Sequence, residues 1–138
     1  MIGVLLVTHG EIGTALLTSA SQILGGAPAQ VATLSVWRQD DPDDLVLRAR
    51  ELMEQIDAGD GVLVLTDIFG ATPGNVVSRL LDDGQVEGVS GVSLPMLLRV
   101  LTSRNGSLGG SLGGAVRRAL SGGAEGVVHM NSDRCLDS

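Results

Sequence analysis

No lysine occurs in this chain of 138 residues; its nine basic residues are all arginine. A phosphate-binding P-loop needs its lysine, so a Walker-type nucleotidase is excluded. Schiff-base chemistry is excluded for the same reason. Cysteine occurs once, at Cys135, which rules out an intrachain disulfide and a thiolate metal cluster and leaves an inert thiol in the tail. Tyrosine is missing, and Trp37 and Phe69 are the only aromatic residues. With a formal net charge of -7, the surface repels phosphates and has little to stack on bases, so nucleic acid is excluded as a partner. The same acidity permits docking against a basic protein surface. No apolar run approaches the ~20 residues of a membrane span, and the first apolar segment lacks a basic flank and a small-residue cleavage site. A cytoplasmic protein is expected, touching a membrane only through other proteins.

What is present is enough apolar material for one core. The hydrophobic fraction is 43% and the mean hydropathy +0.30, which suits a single domain over residues 1–130 with a flexible tail at 131–138. Apolar runs Ile2–Val7, Val31–Val36 and Val62–Leu65 read as strands, the first and third buried on both faces. A glycine-weakened strand is expected over Val86–Val92. Between them lie helical patterns at Ile12–Leu24, from Asp43-Asp44 to about Ile56, from Thr72 to near Gly84, and from Leu94 to before Asn105. Thr72 is expected as the N-cap of its helix, with Pro73 at the first helical position. Ser107-Leu108-Gly109-Gly110 recurs as Ser111-Leu112-Gly113-Gly114. With Leu108, Leu112, Val116 and Leu120 four apart it reads as a helix, softened by glycines that cost up to ~1 kcal/mol each. Gly126-Val127-Val128 is expected as a short last strand. Strands alternating with helices, and apolar on both faces, imply an α/β fold with a parallel sheet covered on both sides.

Two strand ends carry chemistry. His9 follows the first strand and Asp67 follows the third, in Thr66-Asp67-Ile68-Phe69-Gly70-Ala71-Thr72-Pro73. Ligands of parallel α/β sheets bind at this carboxyl edge. In a sheet of order 2-1-3-4 the two residues are neighbours; in the order 3-2-1-4 a strand separates them. If they meet, Asp67 can accept from one ring nitrogen of His9 and leave the other as a nucleophile. Gly70, Ala71 and Thr72 then lead into a helix whose free amides suit a phosphate. The plainer alternatives are a histidine that caps a turn and a turn aspartate bonded to its own backbone. A Ser-His-Asp hydrolase is a rival, but no serine stands at a strand-to-helix turn flanked by the two glycines of a nucleophile elbow. His9 and His129 are the only histidines, too few for a zinc site. Arg99 and Arg104, after the fourth strand, are read either as reaching the same rim or as a solvated helix face. Trp37 is read as an interface aromatic or as rim filling.

Thr8-His9-Gly10, the stretch Thr66–Asn75 and Leu94-Pro95-Met96-Leu97 together resemble the IIA component of mannose-family (mannose/fructose/sorbose-type) sugar phosphotransferase systems, from Met1 to about Met130. The resemblance implies a three-layer doubly wound sheet in the order 2-1-3-4. It also implies a phosphotransferase whose His9 accepts a phosphoryl group from the phosphocarrier HPr and passes it to a separate IIB component. Asp67 would orient the imidazole, and Gly70, Ala71 and Thr72 would face the phosphate, with no metal and no cofactor. A homodimer is implied as well, in which Gly126 to Met130 adds an antiparallel edge strand to the partner's sheet. Ser93 departs from the asparagine common in the family. A regulatory phosphoprotein that senses the state of the system would use the same residues; a flavodoxin-like small-ligand module with no covalent step is a third alternative.

Overall fold

The computed structural model describes residues 1–104 and 110–133. Four strands, β1 (Gly3–His9), β2 (Val31–Val36), β3 (Val62–Thr66) and β4 (Val86–Val89), form one parallel sheet in the order β2-β1-β3-β4. Because β1 lies in the middle, its apolar residues face two cores alternately. Val4 and Leu6 join Leu63 and Leu65 on one face, while Leu5 and Val7 join Val62 and Val64 on the other. The period of two along each strand thus feeds both layers, which is why neither β1 nor β3 shows a polar alternation.

Helices α1 (Ile12–Leu24), α4 (Leu94–Ser103) and α5 (Leu112–Glu125) cover the first face. The other is covered by α2 (Pro42–Ile56) and α3 (Thr72–Ser78). α2 is the best-signalled helix: Asp41 accepts from the Asp43 amide at 2.9 Å, Pro42 opens it, and Asp43 and Asp44 complement its dipole. α5 begins only at Leu112, with Ser111 as its cap and Gly110 outside it, so the expected helix starts later than its Leu108; Ser107, Leu108 and Gly109 lie outside the described residues. Its glycines make close packing possible. A Cβ on Gly122 would stand 2.8 Å from Arg99 Cβ, and one on Gly126 would stand 2.5 Å from Pro95 Cβ. The softness read from composition is therefore offset by contact with α4.

Several boundaries differ from the expectations. β4 stops at Val89, three residues short of Val92. α3 stops at Ser78, well before Gly84. Arg79 and Leu80 donate back only three residues, to Val76 and Val77, and Asp82 then bridges to Val86. Leu80 still reaches the core, while Leu81 is exposed. The cap of α3 is Ala71, not Thr72: the Asn75 amide bonds the Ala71 carbonyl at 2.8 Å, so the helical ladder begins one residue earlier. Among the described residues Gly126–His129 form no strand, and Met130–Asp133 make a short helix. A strand needs an edge to pair with, and this segment meets none among the described residues.

Candidate active site

His9 ends β1, and Asp67 is the first residue after β3. The parallel register pairs Val7 with Thr66, so both chains leave the sheet side by side. Asp67 Oδ2 accepts two hydrogen bonds, from His9 Nδ1 at 2.8 Å and from the His9 backbone amide at 3.1 Å. Asp67 Oδ1 accepts from the Ile68 amide at 3.1 Å and more weakly from the Thr66 hydroxyl at 3.4 Å. The carboxylate is 12% exposed and the imidazole 48%. Burial pushes the Asp67 carboxyl up, but the hydrogen bonds from the His9 ring and amide, and the attraction of the ring, together outweigh it. The net effect holds Asp67 below the ordinary carboxylate value of 3.8. Near neutrality Asp67 is thus an anion that can only accept, so Nδ1 donates. In the neutral ring the lone pair is then on Nε2, which no hydrogen bond occupies among the described residues.

Local chemistry holds this pair in place. Thr8 is buried, and its hydroxyl accepts from the Gly13 amide at 2.8 Å, tying the end of β1 to the first turn of α1. The adjacent Glu11 makes no side-chain cap. Thr8 and Thr66 each precede a reactive residue, and the sequence signal for their anchoring role is the matching Thr-acid/base dipeptide at two strand ends. Gly10 turns with φ of 49° under the Trp37 ring, where a Cβ would approach the ring to 3.3 Å.

His9 lines a cleft of about 520 Å³ with Val36, Trp37, Arg38, Asp40, Pro42 and Thr72. Gly70 holds a left-handed turn at φ of 89°, and Ala71 is extended at the start of α3. Among the described residues no hydrogen bond takes the Ala71 or Thr72 amides. Released from capping, the Thr72 hydroxyl is available to the cleft it lines. Ile12, Trp37, Ile68 and Phe69 are all exposed at this edge of the sheet, Phe69 at 81%.

The two arginines go elsewhere. Arg99 pairs with Glu125 at 2.8 Å on the α4–α5 surface. Arg104 is neither at the rim nor solvated: it is 4% exposed at the opposite pole, where it donates to the carbonyls of Ile2, Ala29 and Gln30. A Gly-x-Ser-x-Gly string does occur, Gly109 to Gly113. Its Ser111 lies between two helices, not after a strand, and accepts from the Gly114 amide at 3.0 Å as the cap of α5. His129 pairs with Ser132 near the end of the described chain. Among the described residues no group of three or more His, Cys, Asp or Glu converges as metal ligands do, and no helix is long and apolar enough to cross a membrane.

Residues 3–116 match the family described as PTS system fructose IIA component, EIIA-man. The chain belongs to this EIIA family of sugar phosphotransferase components. It is 30% identical over 132 residues to the PTS system mannose-specific EIIAB component of Escherichia coli K12, covering 95% of this chain and 40% of that protein. It therefore spans well under half the length of that relative. The PTS system fructose-specific EIIA component of Bacillus subtilis is 31% identical over 105 residues, covering 75% of this chain and 71% of that one. Among solved structures, the phosphotransferase system component EIIA of Streptococcus agalactiae superposes with a TM-score of 0.83 at 25% identity, covering 96% and 99% of the two chains. The doubly wound sheet in the order 2-1-3-4 is thus the family's fold.

Proposed function

We propose that this EIIA protein carries a phosphoryl group on His9 Nε2, taking it from the phosphocarrier HPr and handing it to a separate IIB component. The observation that carries the reading is the hydrogen bond from Nδ1 to Asp67, which leaves Nε2 exposed as an unprotonated nucleophile. As the Nε2 lone pair forms its bond to phosphorus, the nitrogen–phosphorus bond of the donor breaks and the donor ring keeps that electron pair. Nδ1 retains its proton, so the ring becomes cationic and the Asp67 carboxylate stabilises it. The Ala71 and Thr72 amides and the Thr72 hydroxyl hold the phosphoryl oxygens, and Gly70 lets the backbone approach. Transfer of this kind is mostly positioning and electrostatics, so a small open site suffices.

The exposed Ile12, Trp37, Ile68 and Phe69 form the surface on which the protein partners dock. In this reading the protein works in the cytoplasm and meets the membrane only through a transporter complex. Residues 1–130 act as one domain, with 131–138 as a tail. The protein is a homodimer, in which Gly126 to Met130 leave their own subunit and pair with an edge strand of the partner. The exposed Val127, Val128 and Met130, and the β4 edge beyond the Asp82–Val86 bridge, which no strand pairs among the described residues, support that pairing.

The test is incubation with phosphoenolpyruvate, Enzyme I and HPr, followed by intact mass measurement. We expect one acid-labile phosphoryl group per chain, none on His9→Ala, and loss of the group when IIB and sugar are added. An unlabelled wild type, or a fully labelled His9→Ala, overturns the proposal; label that never leaves for IIB supports the regulatory role instead.

A further inference from the structure

One cation lines the His9 cleft. Arg38 stands there with Asp40 and Thr72, while Asp67 lies behind the imidazole. Among the described residues the Arg38 guanidinium takes part in no ion pair, as holds too for Arg48, Arg50, Arg117 and Arg118, but Arg38 alone of the arginines lines this cleft. The turn that carries Arg38 is built firmly. Asp40 Oδ2 accepts from the Trp37 amide at 2.8 Å, the Asp40 amide returns to the Trp37 carbonyl at 3.0 Å, and the Gly10 amide bonds the Val36 carbonyl at 2.9 Å. The turn after β2 is thereby fastened to the His9–Gly10 loop. A phosphoryl group on Nε2 brings up to two negative charges into a cleft of a chain whose net charge is -7. Asp40 and Asp67 oppose that charge, and Arg38 is the one arginine that lines the cleft.

We infer that Arg38 is a further phosphoryl-holding residue, donating from its guanidinium to the phosphoryl oxygens alongside the Ala71–Thr72 amides and hydroxyl while the group rests on Nε2. This deepens the phosphocarrier reading and rests on it. Arg38 transfers no proton; it neutralises charge during formation of the nitrogen–phosphorus bond and shields the loaded group from water. Arginine suits the task because its planar fork meets two oxygens at once.

The test compares wild type, Arg38→Gln and Arg38→Lys with two donors: HPr, and phosphoramidate, which has no protein surface to dock. With both donors we expect the glutamine variant to accept phosphate at least about tenfold more slowly, the size of one charged hydrogen bond. With HPr the loss falls on kcat and leaves KM unchanged. The purified phospho-form of the glutamine variant hydrolyses faster and shows a shifted phosphorus resonance, and the lysine variant recovers part of each effect. Near-ultraviolet circular dichroism matching the wild type shows that the variants are folded. If Arg38→Gln changes only KM for HPr, or changes nothing, the inference fails while the phosphocarrier reading stands. If wild type accepts phosphate from neither donor, both fail.

Discussion

At the scale of single residues, Asp67 decides which ring nitrogen of His9 is free. Asp67→Asn keeps the shape but can present an NH2 to Nδ1, which favours the wrong tautomer. We expect phosphoryl acceptance to fall by about 10²-fold, the scale at which misorientation of a reacting group is felt. Rapid-quench labelling from phosphorylated HPr measures it, and an unchanged rate would remove Asp67 from the mechanism. The same carboxyl contributes to stability in a defined direction. Its value in the folded protein lies below the ordinary 3.8, so its contribution is fully present above that value and is lost as pH falls through the depressed one. Thermal melts of wild type between pH 5 and 2 are therefore expected to fall more steeply than those of Asp67→Asn; parallel curves would contradict the pairing. Both residues were legible because each ends an apolar run at the edge where ligands bind. Thr8 and Thr66 were not, since a buried hydroxyl that ties a strand to a helix gives no periodic signal.

At the scale of elements, α5 separates two roles of glycine. A Cβ on Gly113 would meet only Arg117 Nη1, at 3.7 Å, an ordinary contact. Gly113→Ala is expected to stabilise by about 0.5–1 kcal/mol through helix propensity. Gly122→Ala is expected to destabilise by about 1–3 kcal/mol, because the added methyl meets Arg99 and the α4 backbone. Urea denaturation of the two variants checks the opposite signs. The spacing of Leu112, Val116 and Leu120 made this helix legible, whereas the packing of its glycine face on α4 belongs to tertiary structure alone. α3 shows the converse. Thr72-Pro73 marked its start to within a residue, but its apolar positions run past the true end, because Leu80 is buried from a turn and not from a helix.

At the scale of the whole molecule, two features escaped periodicity. Strand order is set by pairing across the sheet, and only with β1 beside β3 do His9 and Asp67 meet. Arg104 carries no mark of burial in its neighbours, since its acceptors are carbonyls of segments far along the chain. Desolvation by burial lowers its value, yet the guanidinium holds Ile2 and the turn before β2 against the end of α4. Arg104→Met is expected to destabilise by about 3 kcal/mol by leaving buried carbonyls unbonded, and lysine, with fewer donors, to recover little. Equal urea midpoints would contradict that. Val127 and Val128 read as a strand because they are β-branched, yet among the described residues they pair with neither edge of their own sheet. With the proposed exchange, light scattering is expected to give twice the chain mass for wild type and the chain mass for Val127→Asp/Val128→Asp. Equal masses for the two would sink the exchange.

The most direct measurement concerns which nitrogen carries phosphorus. Protein with 15N-labelled histidine, loaded through HPr, is examined by nuclear magnetic resonance for 15N–31P coupling. We expect coupling to Nε2 of His9 alone, with Nδ1 still protonated toward Asp67. Coupling to Nδ1, or phosphorus on any other residue, would contradict the mechanism at its root.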